Sequence, residues 1–368
     1  MLHKALVLVF VVASIASCIS CAKTESHYVY ATLPAANQVL AYREDPNSGV
    51  LVEIQGSPYP GGDGARSAVL HPSGKFLYVA NPGQLENDIS LFAIASNGAL
   101  TEVTPRTPIG PNASQPEFLA MDPAGSYLYV ANNLSFNISV FSIDSSTGAL
   151  AQLASSPTSI GLPPLNMQVA PSGNYLYVTA SGGQSGSPNG SIVGYSVNAG
   201  VLTPIGPPLS SDGVNPNGLA IDPNGSYLYA ANTSSGSISI FAIGASGALS
   251  EVNGSPLADT YTAPVSLILD AKGAFLYVAN QGSNNVAVYS ISSTTGLPTV
   301  LTTSTTTGAF FTEGSPSFLV VDPTANYLFV GNQGGSAGIQ AFSVDGGNLT
   351  DIYTYRVGNT PTSIAVLK

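Results

Sequence analysis

Asp222 to Asn232 have the sequence DPNGSYLYAAN, and this stretch decides the fold because the chain repeats it. Its first four residues match a type I turn, which favours Asp at the first position, Pro at the second and Gly at the fourth. The aromatic and small apolar residues that follow fill a segment of strand length and end at an asparagine. Each copy therefore predicts a turn that leads into a β-strand.

Seven aromatic residues mark the copies at steps of 48 to 52 residues: Tyr30, Tyr78, Tyr129, Tyr177, Tyr229, Tyr277 and Phe329. A repeat of this length is typical of one four-stranded blade of a β-propeller. A short apolar segment precedes most copies, and an alternating strand such as Ile238 to Ile243 follows, before a Gly-led turn into a fourth strand. The first of the four is the most uniformly apolar, as expected for an inner strand covered on both faces. The chain is therefore predicted to be all-β, with four antiparallel strands in each blade.

The two ends of the repeat region complete each other. Ser363 to Leu367 has the pattern of an inner strand without a following partner, and Tyr28 to Thr32 that of a second strand without a preceding one. Pairing them would complete a seventh blade and remove both free sheet edges. An open array would need polar capping units, and the sequence shows none. We therefore expect one closed seven-bladed propeller domain over residues 28–368, acting as a monomer.

Charge and residue spacing argue against several classes of function. The net charge is −11, and the nine Lys plus Arg residues are scattered singly, whereas a nucleic-acid surface needs clustered cations. No His/Cys/carboxylate group has metal-ligand spacing along the chain, so neither a metal nor another cofactor is expected. Aspartates that recur in the turns, such as Asp122 and Asp322, are expected to be structural, with calcium binding as the minor alternative.

The N-terminus has the features of an export signal over residues 1–22. Lys4 supplies a positive charge, and the apolar segment after it is too short to cross a bilayer as a helix. The tetrapeptide ending at Cys18 resembles a bacterial lipoprotein signal, which predicts lipidation of Cys18; attachment at Cys21 or an ordinary cleaved signal is the alternative. Residues 23–27, including His27, would form a short tether. We therefore expect an exported protein of the cell envelope, lipid-anchored or else periplasmic or secreted.

A functional site is expected where loops gather around the central channel. The residues after an aligned proline begin each inner strand and should surround the channel mouth. Arg66 and Glu117 are the charged members of this ring, and they form either a catalytic pair or an ion pair that neutralises two partly buried charges. Further candidate ligand-binding residues belong to this ring or to the long loops on the same face: Arg106, Asn166, Asn217, Tyr261, Phe310 and Glu313.

The repeated D-P-x-G-x-Y-L-Y-V-A-N motif, over Tyr28 to Lys368, resembles the lactonase family of seven-bladed propellers. That family includes propeller-type 6-phosphogluconolactonases and fungal muconate-lactonizing enzymes. The resemblance implies Arg, His and Glu at the channel mouth, with a Pro-Arg-His signature and a Glu after the strand asparagine. Here Ala65-Arg66-Ser67 is the nearest version, and the chain has no His at the start of an inner strand and no Glu after the asparagine.

Two functions stay open on the sequence alone. The channel mouth lacks the His and Glu that the family resemblance implies. This lack and the export signal favour a non-catalytic binding propeller at the envelope, with a glycan or protein partner on the loop face. The alternative is a hydrolase or cycloisomerase for an uncharged or weakly charged lactone, with Glu117 as the base and Arg66 stabilising the oxyanion. A phosphosugar is disfavoured because the mouth offers few cations for a phosphate beyond Arg66 and Arg106.

Overall fold

The computed structural model describes residues 27–84, 87–182, 189–302, 308–334 and 338–367. Within these ranges the chain forms seven antiparallel sheets, and the single 3-10 turn is Pro34–Ala36. The predicted all-β seven-bladed propeller is confirmed. The signal and the candidate lipidation sites Cys18 and Cys21 lie outside the described residues. No helix in the described ranges has the length and apolar character needed to cross a membrane.

The seven sheets follow one another along the chain, and each is one blade. Blade 1 comprises β1 (His27–Leu33), β2 (Gln38–Glu44), β3 (Leu51–Glu53), β4 (Tyr59–Pro60) and β33 (Ser363–Leu367). Blade 2 comprises β5 (Ser67–Leu70), β6 (Phe76–Pro82), β7 (Asn87–Ile94) and β8 (Leu100–Pro108). Blade 3 comprises β9 (Pro116–Met121), β10 (Tyr127–Asn132), β11 (Asn137–Ile143), β12 (Leu150–Gln152) and β13 (Thr158–Ser159). Blade 4 comprises β14 (Pro164–Val169), β15 (Tyr175–Ala180), β16 (Ser191–Asn198), β17 (Val201–Pro204) and β18 (Leu209–Ser210).

The remaining three blades repeat the plan. Blade 5 comprises β19 (Pro216–Ile221), β20 (Tyr227–Asn232), β21 (Ser237–Ile243), β22 (Leu249–Glu251) and β23 (Leu257–Ala258). Blade 6 comprises β24 (Pro264–Leu269), β25 (Phe275–Asn280), β26 (Asn285–Ile291), β27 (Pro298–Val300) and β28 (Ala309–Phe311). Blade 7 comprises β29 (Pro316–Val321), β30 (Tyr327–Asn332), β31 (Gly338–Asp345) and β32 (Asn348–Arg356). In five blades the outer strand is thus divided into two pieces, both paired with the third strand.

The ring closes as the sequence predicts. β33 is the inner strand of blade 1 and pairs antiparallel with β1, from Tyr28 opposite Leu367 to Thr32 opposite Ser363. The first strand begins one residue earlier than expected, because His27 pairs with Glu44 of β2. The assignment of His27 to the tether is therefore wrong. The apolar cores lie between neighbouring blades, as where Tyr129 of blade 3 packs with Val193 of blade 4.

Buried tyrosines of the second strands connect neighbouring blades. The hydroxyl of Tyr78 donates a 2.7 Å hydrogen bond to the carbonyl oxygen of Gly148, in the turn between the third and fourth strands of the next blade. Three other blades make the same bond: Tyr30 to Gly98, Tyr177 to Gly247 and Tyr229 to Gly296. These bonds satisfy a buried hydroxyl and a turn carbonyl together, and so they stabilise the contact between blades.

The hydroxyls of Tyr129 and Tyr277 are buried without a hydrogen-bond partner. The blade that follows each of them has a shorter turn. In blade 4 Asn198 pairs directly with Val201, and in blade 7 Asp345 pairs directly with Asn348. A two-residue hairpin of type I′ requires positive φ at both central residues. Both turns have it: Ala199 at 48° and Gly200 at 77° in blade 4, and Gly346 at 54° and Gly347 at 84° in blade 7. The shorter turn does not present the carbonyl that the tyrosine meets in the other blades.

The asparagine that ends most second strands is a structural residue, as predicted. Asn232 is fully buried, and its amide donates to the hydroxyls of Ser237 and Ser239 on the neighbouring strand. The turn aspartates also serve the backbone, since Asp222 accepts hydrogen bonds from the main-chain N–H groups of Ser226 and Tyr227. Such residues recur in many blades because each blade must end its second strand and close its first turn.

Candidate functional site

The inner strands reach the channel mouth through a local irregularity. In blade 3, Pro116 pairs with Asn132 and Phe118 with Ala131, so Glu117 between them is an extra, unpaired residue. A β-bulge of this kind bends the strand and redirects a side chain. Blades 4 to 7 have the same shift after the aligned proline. The bulged residues are Glu117, Leu165, Asn217, Val265 and Ser317.

These residues surround a pocket of about 300 Å³ to which all seven blades contribute. Its size is at the lower end of small-molecule sites and suits a single sugar-sized ring. The pocket adjoins the central channel, a cavity of about 470 Å³, and Phe118 and Phe318 border both. The lining residues are Arg66, Ser67, Glu117, Phe118, Leu165, Asn166, Asn217, Val265, Ser266, Gln281, Ser317, Phe318, Gln333, Thr362 and Ser363.

Arg66 and Glu117 form an ion pair inside this pocket. The guanidinium Nε contacts a carboxylate oxygen of Glu117, and the two residues come from adjacent blades. The Glu117 side chain is 13% exposed and that of Arg66 is 46% exposed, so the guanidinium faces the solvent side. Burial raises the pKa of the Glu117 carboxyl above its ordinary value of 4.5, and the charge of Arg66 acts in the opposite direction. The result is a carboxylate whose basicity is increased but which stays paired with a cation.

Hydrogen bonds between neighbouring blades hold the main chain of the mouth. The carbonyl oxygen of Arg66 accepts from the hydroxyls of Thr32 and Thr362, each at 2.7 Å. The backbone N–H of Leu119 donates to the hydroxyl of Ser67, on the strand next to it. On the far side of the ring, the amide of Asn166 donates to the carbonyl oxygen of Asn217 at 2.9 Å. The mouth is therefore a preformed ring, which places Arg66 and Glu117 with little freedom.

The structure brings four of the eight predicted site residues together: Arg66, Glu117, Asn166 and Asn217. The other four lie elsewhere on the molecule. Arg106 was expected in a loop, but it lies within β8, where it pairs with Glu102 at 2.7 Å and donates to the carbonyl oxygen of Gly61.

The other three predicted residues, Tyr261, Phe310 and Glu313, also lie outside the lining of the mouth pocket. Tyr261 packs against the core between blades 5 and 6, and Phe310 against the core between blades 6 and 7. Glu313 pairs with Arg356 at 3.6 Å, and both side chains are exposed. Most of the pocket residues are therefore supplied by the starts of the inner strands.

Gln281 and Gln333 are pocket residues that the sequence analysis did not single out as candidates. Each directly follows the asparagine that ends its second strand, and the Gln281 side-chain amide donates to that of Gln333 at 3.3 Å. Their position after the strand asparagine could have identified them, since the family resemblance implies a glutamate at that position. Their amides give the pocket hydrogen-bond donors and acceptors without charge.

A second group of titratable residues lies at the end of blade 1 that is opposite the channel mouth. His27, Glu44 and Asp322 are all buried, and each offers one ligand atom within 4.8 Å of the other two. Burial and the neighbouring Asp322 and Asp45 carboxylates raise the pKa of Glu44 to about 8. Spacing along the chain predicted no such cluster, because residues 27, 44 and 322 meet only when the ring closes.

The chain matches the family model described as "Lactonase, 7-bladed beta-propeller" over residues 21–163, 165–263 and 257–309. Among curated proteins, it is 44% identical over 94 residues to a 6-phosphogluconolactonase of Formosa agariphila, covering 25% of this chain and 26% of that one. It is 26% identical over 141 residues to a 6-phosphogluconolactonase of Bacillus subtilis, covering 37% of this chain and 38% of the relative. The matched regions thus span about a quarter to two fifths of these relatives.

Solved structures of the same shape cover nearly the whole chain. A putative 6-phosphogluconolactonase from Bacteroides fragilis superimposes with a TM-score of 0.77 at 21% identity, covering 94% of this chain and 99% of that one. A periplasmic gluconolactonase from Pseudomonas aeruginosa superimposes with a TM-score of 0.73 at 18% identity, covering 93% and 99%. At these identities the likeness concerns the fold.

Proposed function

The chain belongs to the lactonase family of seven-bladed β-propellers, and from this premise we propose that it binds a small sugar-type lactone in the mouth pocket and hydrolyses it. The observation that carries the proposal is the Arg66–Glu117 pair, a cation and a carboxylate of raised pKa that share one concave, amide-lined pocket. The 6-phosphogluconolactonase names of its relatives support the same class of reaction.

In this proposal Glu117 acts as a general base. Its carboxylate accepts a proton from a water molecule, and the water oxygen forms a bond to the lactone carbonyl carbon. Arg66 donates hydrogen bonds to the carbonyl oxygen as negative charge develops there. The ring C–O bond then breaks, and the ring oxygen takes up the proton, leaving the open hydroxy acid. A base with a pKa raised toward the working pH is better suited to this step than an ordinary glutamate.

The charge of the pocket supports a substrate without a phosphate group. Among the described lining residues Arg66 is the only cation, and Glu117 already neutralises it. A phosphate dianion would need additional positive charge to replace its lost hydration. The hydroxyls of a sugar ring are matched instead by the amides of Asn166, Gln281 and Gln333.

A second candidate function is binding without catalysis, by an exported propeller held at the cell envelope. It is favoured by the closure of Arg66 and Glu117 on each other and by the lack of a histidine among the lining residues of the mouth pocket. In that case a glycan or protein would occupy the same face, and the ion pair would be structural. The two functions differ in turnover, because only the first opens a ring.

The test is a panel of γ- and δ-lactones of sugars, with and without phosphate, followed by proton release at constant pH and corrected for spontaneous hydrolysis. We expect saturable turnover that is fastest on unphosphorylated rings. The matched control is Arg106→Gln, which removes one arginine away from the mouth pocket and should leave turnover on the panel unchanged. Binding of a non-hydrolysable lactam analogue without turnover of any lactone would favour the binding function and reject the enzyme.

A further inference from the structure

The buried cluster on blade 1 stands at the seam where the ring closes. His27 begins β1 and Glu44 ends β2, and the two are paired across the sheet. Asp322 belongs to blade 7, in the turn between β29 and β30. The cluster therefore joins the closing blade to the last blade of the ring. It is also remote from the mouth, because β1 runs five residues, or about 16 Å, from His27 to Thr32 beside the mouth.

The cluster is buried, and its Glu44 and His27 atoms lack partners, whereas both carboxylate oxygens of Asp322 accept hydrogen bonds. Glu44 is 0% exposed, His27 is 7% exposed and Asp322 is 3% exposed. Both carboxylate oxygens of Glu44 and the Nδ1 of His27 make no hydrogen bond. Buried polar groups are nearly always satisfied, so three such atoms facing one another call for a ligand.

The charge of the cluster points to a cation. Among the ion pairs of the described residues, His27 is the only basic partner of Glu44 and of Asp322. Two carboxylates in one dry site repel each other, and burying them is costly without a cation between them. A divalent ion would neutralise both carboxylates.

The distance from His27 to Glu44 fits a small metal ion better than a direct hydrogen bond, and the distance from His27 to Asp322 is somewhat longer. Nδ1 of His27 lies 3.5 Å from Glu44 Oε2 and 3.9 Å from Asp322 Oδ2. A charged N–H···O bond is shorter, about 2.7–2.9 Å. Ligand atoms placed tetrahedrally at about 2.0–2.2 Å from a zinc ion are about 3.3–3.6 Å apart. Hydrogen bonds hold both carboxylate oxygens of Asp322: Oδ1 accepts from the backbone N–H of Tyr327 at 2.7 Å, and Oδ2 accepts from the backbone N–H of Thr324 at 2.9 Å and from the Thr324 hydroxyl.

We propose that His27, Glu44 and Asp322 bind one divalent transition-metal ion of the zinc class, which fastens blade 1 to blade 7. One imidazole nitrogen and two carboxylate oxygens are a donor set that suits zinc, whereas calcium and magnesium prefer oxygen ligands alone. A water molecule would supply the fourth ligand. The site is independent of the mouth, so the ion stabilises the ring and takes no part in lactone chemistry.

The experiment uses the full chain, purified, stripped with a chelator and then titrated with Zn²⁺. We expect one zinc per chain by elemental analysis and a higher melting temperature, which chelator reverses. Glu44→Gln and His27→Gln should each weaken zinc binding at least about 10-fold, since even the partners of metal ligands have effects of that size. His71→Gln and Glu117→Gln are the matched controls, and they should bind zinc as the wild type does.

Co²⁺ provides a readout that does not depend on the variants folding. Bound to the wild type, it should give the visible spectrum of a four-coordinate nitrogen and oxygen site, without a sulfur charge-transfer band from Cys18 or Cys21. Failure of the wild type to bind zinc or cobalt would overturn the proposal and leave Glu44 as a buried protonated acid. Unchanged binding in a folded Glu44→Gln variant, or a thiolate spectrum, would overturn it as well.

Discussion

The hydroxyl of Tyr78 provides a sharp test of how the blades are held together. In Tyr78→Phe the aromatic ring stays, but the bond to the Gly148 carbonyl is lost. The net value of a typical hydrogen bond is about 0.5–1.5 kcal/mol, but removing one partner so that a buried carbonyl is left unsatisfied costs about 1–3 kcal/mol in all. We therefore expect the free energy of unfolding to fall by about 1–3 kcal/mol.

Tyr129→Phe is the matched control, because this tyrosine occupies the same position in the next blade and is equally buried. Its hydroxyl has no partner, so removing it should relieve a desolvation cost and raise the free energy of unfolding by about 1 kcal/mol. The same substitution is thus expected to have opposite signs in adjacent blades. Phe329, which stands at this position in blade 7, shows that the fold accepts the change.

The assay is equilibrium unfolding in urea followed by far-ultraviolet circular dichroism, since the chain has no tryptophan to report by fluorescence. Tyr229→Phe should behave like Tyr78→Phe, and Tyr277→Phe like Tyr129→Phe. Equal losses in all four variants would refute the reasoning, because they would show that the hydroxyl matters through packing and not through its partner in the next blade.

Three further predictions concern the mouth, the strand ends and the N-terminus. Arg66→Gln removes the charge that lowers the pKa of Glu117, so the acidic limb of the pH–rate profile for lactone hydrolysis should move to higher pH. If the limb does not move, Glu117 is not the base of the reaction. Asn232→Ala should lower the free energy of unfolding by about 1–3 kcal/mol in urea unfolding, because it removes two buried hydrogen bonds, whereas Asn224→Ala in an exposed turn should change it little. Cys18→Ser should abolish incorporation of labelled fatty acid in a bacterial host and Cys21→Ser should not; the reverse result would place the lipid on Cys21.

The repeated motif made the ring predictable, because each copy combines a turn signal with an alternating strand. The pairing of Ser363 with Thr32 at the closure also followed, since a strand pattern without a partner appeared at each end of the repeat region. The alignment of the inner-strand starts was sufficient to place Arg66 and Glu117 beside each other, although Ala65 precedes Arg66 where the other blades have proline. It did not show the bulge that directs Glu117 into the pocket, because a bulge depends on the register of two strands.

Arg106 shows where local patterns fail. The segment from Thr104 to Pro116 contains four prolines, a composition typical of a loop, yet β8 continues through Pro105 to Pro108. Proline is tolerated there because β8 is an outer edge strand, whose N–H groups need no partner on one side. The side chain of Arg106 therefore pairs with Glu102 on its own strand.

The assignment of His27 to the tether was wrong for a different reason. Nothing near it in the sequence marks it as buried, and its partner Asp322 is almost the whole chain away. Strand patterns at the two ends predict the backbone pairing that closes the ring, but no local pattern marks a single side-chain contact across it, such as that between His27 and Asp322.

The rate of ring opening by Glu117→Gln, relative to the wild type, is the most direct test of the proposed function. The substrate is the unphosphorylated sugar lactone that the wild type turns over fastest, and proton release is measured at a pH where Glu117 of the wild type is ionised. A general base contributes about 10²–10⁴-fold, so the variant should retain at most about one hundredth of the wild-type kcat with its fold unchanged. A folded Glu117→Gln protein with the wild-type rate would contradict the assignment of this pocket as a lactone-opening site.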